Sequence, residues 1–356
     1  MSSIPSFFNP DTVGKVWRVP YQTRASEAKT YAKTHGIKPA YADKSRICLL
    51  AIDVQNTFCL PDFELFVGGR SGNGAVEDTR RLCEFVYRNL GILTEIAPTM
   101  DTHAATQIFH PVFWINAAGE HPAPMTMISA EEIEVGKWRV NPAIAKSLAG
   151  VQPKTEPIDI AAFALHYAKQ LGAANKYPLT IWPYHFMLGG IGHALVPAFE
   201  EAWFFHNMAR QSQTHIEIKG DNPLTENYSV LSPEVLNGTD NQPIAQKNNS
   251  FVQHLLGFDA VIIAGQAKSH CVAWTIRDLL SEIQAVDPAL AGKVYLLEDC
   301  ASPVVVPEVV DFTEAADACY REFAAAGMHI VKSTQHPQDW PAFPVKCEVS
   351  NNIKNY

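Results

Sequence analysis

Residues 260–280 read AVIIAGQAKSHCVAWTIRDLL, and this stretch decides the fold. Residues 260–264 are an unbroken apolar run, as expected of a strand covered on both faces. Gly265 punctuates the chain. From Val272 onward, apolar residues recur at Ile276, Leu279, Leu280 and Ile283, a helical period. A buried strand that passes through a glycine turn into an amphipathic helix is a building unit of an α/β domain. Cys271 stands at the junction.

The same alternation extends in both directions. Residues 47–52 (ICLLAI) form a second continuous apolar run. Residues 74–93 carry Leu82, Phe85, Val86, Leu90 and Leu93 at helical spacing, and 95–100 is the next strand candidate. Downstream, 194–209 and 313–325 read as helices, and 215–218, 294–297 and 329–331 as strands. This order predicts a three-layer α/β/α domain over 46–335, with a parallel sheet of about six strands. Residues 119–177 break the rhythm with prolines and one helical stretch at 160–171, and read as an insertion serving as a lid or a subunit contact. Residues 1–45 are polar and irregular, an N-terminal extension; 336–356 form a C-terminal tail.

With 356 residues, 47% of them hydrophobic, the chain can bury a large core. A net charge of −9 without any basic cluster argues against nucleic acid or an anionic membrane as partner. No run of about 18 apolar residues is present to span a bilayer, and the first residues lack a signal-peptide pattern. Seven cysteines (Cys48, Cys59, Cys83, Cys271, Cys300, Cys319 and Cys347) are scattered without a CxxC pair. That set suits free thiols in a reducing cytoplasm. The expected partner is a small molecule, with a homo-oligomer left open.

In a parallel α/β sheet, reactive groups collect where strands end. Four places qualify: Asp53, Asp101 with His103, Lys219, and Cys271. A thiol at a helix N-terminus feels the positive end of the dipole, which lowers its pKa, and backbone N–H groups there can hold an oxyanion. Asp53 could take the thiol proton, and Lys219 could hold both charges. Asp101 and His103, at i and i+2, point to one side of an extended segment. Taken singly, each has a plainer reading: a small buried thiol, a turn aspartate, a solvated lysine.

Four motifs tip the balance. AIDVQNTF (51–58) resembles the D-x-Q-x-x-F signature of the nicotinamidase and isochorismatase-like cysteine hydrolases. GQAKSHCVAWT (265–275) is similar to their nucleophile turn, and IKGDNPLTENYS (218–229) to their Lys-Gly segment with a following acid and Tyr-Ser. TIWPYHFMLGGIGHALVPAF (180–199) resembles their W-P-x-H followed by G-x-x-G-x-x-L-x-P. The resemblance implies an Asp53–Lys219–Cys271 triad, a cis peptide between Gln266 and Ala267, and an oxyanion hole from the Ala267 and Cys271 amides. It also implies a divalent metal, zinc first with iron or manganese as alternatives, held by Asp101, His103 and His185. Phe58 and Trp182 match the family's pair that sandwiches a nicotinamide ring, and Tyr228 joins the same pocket. The implied activity is hydrolysis of nicotinamide, or a related aromatic carboxamide, to the acid and ammonia through a Cys271 thioester.

Two departures stand out. Metal-dependent members have a second histidine four residues after the first; here that position is Gln107, and His110 is either its substitute or a packed histidine. The turn before the cysteine reads Lys268-Ser269-His270 where nicotinamidases commonly have T-D-Y. A ureido, carbamoyl or other small amide therefore stands as the alternative substrate. A catalytically idle member used as a binding module would need a lost triad residue, and none is lost. His121, His166, His193, His206 and His215 read as structural or solvated.

Overall fold

The structure is a computed structural model that describes residues 3–151 and 159–345. Cys347, and the parts of the insertion and tail at 152–158 and 346–356, lie outside the described residues. At the centre is a six-stranded parallel sheet: β1 (Ile47–Ile52), β2 (Glu95–Asp101), β3 (Glu217–Lys219), β4 (Ala260–Gly265), β5 (Val294–Leu297) and β6 (His329–Val331). They lie side by side in the order β6-β5-β4-β1-β2-β3. Every residue of β1 and β4 is buried, which is why both read as continuous apolar runs. The expected α/β/α architecture is the one found.

The helices that accompany the sheet include α1 (Tyr21–His35), α2 (Gly74–Arg88), α3 (Ile160–Ala173), α4 (Pro197–Arg210), α5 (Asn249–Leu256), α6 (Ala273–Val286) and α7 (Thr313–Ala325). Helix α2 packs on α4, and α6 on α7. Strands β1, β2 and β3 step to one side of the sheet, and β4, β5 and β6 to the other. Right-handed crossovers therefore put α2 and α4 on one face and α6 and α7 on the opposite face. The direction reverses between neighbours β1 and β4. A crevice at the carboxyl ends of two such strands is where this architecture binds ligands.

Several boundaries differ from the sequence reading. The strand expected at 215–218 is β3 at 217–219. Helix α4 starts at Pro197 rather than 194, because proline's fixed φ and missing N–H suit a first turn. Helix α2 stops at Arg88, and Leu90 and Leu93 are buried in the turn beyond it. The polar N-terminal stretch contains α1, which has no apolar stripe to betray it: Ala28 is its one buried residue. Polar and aromatic contacts hold it instead. Arg24 Nε lies 2.6 Å from Glu201 Oε1 on α4, and the Arg24 guanidinium lies 3.9 Å over the Phe7 ring.

Inside the insertion, Trp114–Ile115 pairs with Arg139–Val140, and Met127–Ile128 pairs with Leu179–Thr180. The second pair brings the insertion directly alongside the segment that leads into Trp182 and His185. No helix among the described residues is long and apolar enough to cross a membrane.

Candidate active site

The carboxyl ends of four adjacent strands converge. Asp53 follows β1 in a left-handed conformation (φ +47°) and is wholly buried. Its N–H donates to Thr99 Oγ1 (3.0 Å), and the Thr99 hydroxyl donates back to Asp53 Oδ1 (2.5 Å). Opposite, Gly265 has φ +121°, and a Cβ there would collide with the Ile52 carbonyl. Gln55 fixes the next strand end. Its Oε1 accepts from the Asp101 N–H (2.8 Å), while Nε2 donates to the Asp101 and His193 carbonyls (2.9 and 2.8 Å).

Lys219, the last residue of β3, is the hub. Its Nζ lies 3.0 Å from Asp53 Oδ2, 3.1 Å from Asp101 Oδ1 and 3.7 Å from Cys271 Sγ, and donates to the Asn227 carbonyl at 2.8 Å. One atom each of Asp53, Asp101 and Cys271 lie within 4.8 Å of one another. The structure thus brings Asp53, Lys219 and Cys271 together.

Cys271 sits in a widened turn, Lys268–Val272, where the Val272 N–H reaches back five residues to the Ala267 carbonyl (3.2 Å). Such π-type turns recur at functional sites. The Lys268 N–H donates to Ser302 O and the His270 N–H to Ala267 O (2.8 and 3.0 Å). The Gln266–Ala267 peptide is cis.

The expectation of a lowered thiol pKa needs correcting. Helix α6 begins only at Ala273, and burial pushes the Cys271 thiol well above its ordinary value, against the pull of Lys219. The Asp53 carboxyl lies beside this thiol and adds to the rise. Burial also raises the Asp53 carboxyl, although the Lys219 charge opposes it. For Lys219, burial works the other way, but Asp101 and Asp53 outweigh it and hold the ammonium charged.

A cavity of about 130 Å³ opens beside the thiol. This is on the order of the ~150 Å³ apolar cavity that holds one benzene ring. Phe58, Trp182 and Tyr228 line it together with Ala267 and Cys271. Trp182 Nε1 donates to Tyr228 Oη at 3.2 Å, and Phe58 meets Phe186 edge-on with centroids 4.5 Å apart. His270, from the turn that departs from the family pattern, also lines the cavity, as do Glu226 and Met125, which sequence reasoning missed. Burial pushes Glu226 up to about 7 and His270 down to about 3. Glu226 lies in the quoted TENYS segment, but no spacing rule says which way a loop side chain turns. Met125 comes from the insertion.

Of the expected metal ligands, Asp101, His103 and His185 come together, and His110 joins them. Ring nitrogens of His103, His110 and His185 lie within 4.8 Å of one another. The three rings face each other nearly edge-on, with centroids 4.4–5.9 Å apart. His185 Nδ1 lies 2.7 Å from the Pro183 carbonyl and His110 Nδ1 3.2 Å from the Ala105 carbonyl. A carbonyl requires a proton on Nδ1, which leaves each Nε2 lone pair free. His110 Nε2 is buried without a hydrogen-bond partner.

Burial and the neighbouring His103 push His110 down to about 4 and His185 well below its ordinary value, so both rings are in the neutral, ligating form. Asp101 Oδ1 is 3.1 Å from His103 Nε2. Three imidazoles beside one carboxylate fit a divalent transition metal. Gln107 Nε2 donates to the Gly220 and Asn222 carbonyls and ties two loops together.

No family model and no curated protein matches the chain. Among solved structures it is similar to the nicotinamidase/pyrazinamidase of Acinetobacter baumanii, with TM-score 0.48 and 17% identity over 82% of this chain and 98% of that one. It is also similar to the yeast nicotinamidase bound to the inhibitor nicotinaldehyde, with TM-score 0.48 and 16% identity over 80% and 99%. A third similar structure is the N-carbamoylsarcosine amidase of Thermoplasma acidophilum, with TM-score 0.38 and 12% identity over 82% and 98%.

Proposed function

We propose that the chain is a cysteine amidohydrolase of the nicotinamidase type, converting nicotinamide or a related aromatic carboxamide to the carboxylic acid and ammonia. The observation that carries this reading is Lys219 Nζ lying 3.0 Å from Asp53 Oδ2 and 3.7 Å from Cys271 Sγ, beside a ring-sized cavity. Phe58 and Trp182 in the lining suit a flat ring, which stacking orients without hydrogen bonds.

Asp53 takes the Cys271 proton, and Lys219 balances the charge as the thiolate forms. The thiolate attacks the carboxamide carbon, and the Ala267 and Cys271 N–H groups donate to the oxyanion. Collapse breaks the C–N bond; the proton on Asp53 passes to the leaving nitrogen, which departs as ammonia. Asp53 then takes a proton from water, whose oxygen attacks the thioester, and Cys271 recovers its proton as the acid leaves. A carboxyl raised by burial suits this double duty, because it is a stronger base toward the thiol than a solvated carboxylate and can still return the proton. His103, His110 and His185, with Asp101 beside His103, would hold a divalent zinc, iron or manganese ion, which when bound supplies a Lewis acid for a pyridine ring nitrogen.

A second reading keeps the triad but changes the amide to a ureido or carbamoyl compound. It is favoured by Glu226 and His270, two polar side chains in the cavity wall that a bare pyridine ring leaves unused. Ammonia release by purified, metal-loaded protein separates the two. Turnover of nicotinamide or pyrazinamide supports the first. Failure of both, with ready alkylation of Cys271 and turnover of a ureido compound, supports the second. A thiol that resists alkylation, with no amide hydrolysed, overturns both.

A further inference from the structure

The other end of the sheet carries a second convergence of metal-ligating side chains. Glu95 opens β2, six residues before Asp101, which is about 20 Å of extended strand away from the triad. Alternation puts Glu95 and Thr99 on one face of β2. The parallel register pairs Thr99 with Glu217, so Glu217 shares that face on β3. His215 precedes β3, and His254 comes from α5. His254 Nε2 lies 2.7 Å from Glu95 Oε1, and His215 Nε2 lies 2.9 Å from Glu217 Oε1. Asn248 Nδ2 donates to the other Glu217 oxygen at 2.7 Å and so orients that carboxylate. Glu95, His215 and His254 each offer one ligand atom within 4.8 Å of the others, and all three are half-buried.

The two imidazoles are stacked, with centroids 4.3 Å apart and planes 12° from parallel, and Phe251 extends the stack on His215 at 5.3 Å. Each ring turns its Nε2 toward a carboxylate, and the stack holds the two rings side by side between Glu95 and Glu217. A tetrahedral ion with ligands at about 2.0–2.2 Å has donor–donor edges of roughly 3.3 Å. The Glu–His pairs already stand near that spacing, and the other donors, within 4.8 Å of one another, must close by up to about 1.5 Å. Because parallel rings aim their lone pairs in parallel, uptake of one ion must also tilt the rings out of the stack.

We propose that Glu95, His215 and His254, with Glu217 as the fourth donor, form a second divalent-metal site of the zinc class, separate from the candidate active site. Two carboxylates match a dication in charge, and two imidazoles supply the nitrogen donors that favour zinc or copper over calcium or magnesium. The ion would staple α5 to β2 and to β3. Strand β3 is a three-residue edge strand whose far end is Lys219, so it has few ladder bonds of its own. The proposal does not depend on the amidohydrolase reading.

The test is zinc stoichiometry after equilibrium dialysis of the full chain, with copper(II) as a spectroscopic probe. The variant His103→Ala/His185→Ala, which removes the active-site donors, is expected to retain one zinc per chain and to melt higher with zinc than without. Copper(II) bound to it should show electron-paramagnetic coupling to two imidazole nitrogens. His215→Ala/His254→Ala should bind one zinc fewer than the unaltered chain and keep its amide turnover; both rings are partly exposed, so this variant is expected to fold. A His103→Ala/His185→Ala protein that folds and takes up no zinc overturns the proposal. So does equal stoichiometry in the unaltered chain and His215→Ala/His254→Ala. An unaltered chain that binds zinc only through His215 and His254 upholds this site while sinking the active-site metal.

Discussion

Lys219 Nζ stands 3.0 Å from Asp53 Oδ2, and both side chains are sealed from solvent. Removing one partner of a buried ion pair leaves an unpaired charge and costs about 3–5 kcal/mol. Asp101 sharpens the effect, since it too leans on Lys219 at 3.1 Å. Lys219→Met is therefore expected to lose stability on that scale and to abolish turnover. Adding Asp53→Asn to it removes one of the two stranded carboxylates and should return part of the stability. Urea denaturation of both single variants and the double variant measures that coupling.

Thr99 positions the base without touching the thiol. Its hydroxyl gives the short bond to Asp53 Oδ1 and accepts the Asp53 N–H. A hydrogen bond to a charged group contributes about 1.5–3 kcal/mol. Thr99→Val should lower kcat by roughly 10–100-fold, with KM little changed. Thr99→Ser keeps the hydroxyl and should retain most of the rate. Steady-state kinetics on the best amide substrate separates the two variants.

The histidine cluster predicts opposite outcomes at two nearby positions. His110→Ala removes a neutral ring whose Nε2 is buried and unpartnered. It should lower metal affinity by roughly 10–100-fold or more, read by metal analysis against a competing chelator. Gln107→Ala loses a loop tie and should keep its metal. Chelation of the unaltered protein should stop turnover yet leave Cys271 open to alkylation, because Asp53 and Lys219 remain in place.

Glu234 carries a pH signature away from the thiol. Burial pushes its carboxyl up to about 7, although Lys176 at 3.0 Å pulls it down. A folded-state value raised above the unfolded one adds stability that is complete below about 4.5 and fades as pH rises through 7. Glu234→Gln removes this dependence. Relative to that variant, the unaltered chain should lose up to about 3 kcal/mol between pH 4.5 and 8, measured by denaturant midpoints across the range. Identical profiles would contradict the assignment.

Much of this architecture was legible in the residues themselves. β1 and β4 are buried on both faces, so ICLLAI and AVIIAG could only read as core strands, and helix α7 spans 313–325 as its period predicts. Helix α1 was hidden because Arg24 and Tyr21, not an apolar stripe, attach it to the body. Asp53, Lys219 and Cys271 were visible as strand-end residues, since strand ends obey a topological rule. Glu226 and Met125 were not, because they sit on loops whose direction is set by contacts distant in sequence, and His110 could be read either as a ligand or as a packed ring for the same reason. Gln107 stands where a histidine was expected, and the ring of His110, three residues later, is the one gathered beside His103 and His185. The Cys271 pKa was misjudged because burial outweighs a helix dipole whose first turn starts two residues beyond the thiol.

The most direct measurement is ammonia release from a panel of aromatic and ureido amides by the metal-loaded protein, run beside Cys271→Ala. The unaltered chain is expected to turn over at least one member, and mass spectrometry should find a hydroxylamine-sensitive acyl group on Cys271. In Cys271→Ala both signals should vanish while the fold and the bound metal persist. Full turnover by Cys271→Ala would contradict a thioester mechanism outright.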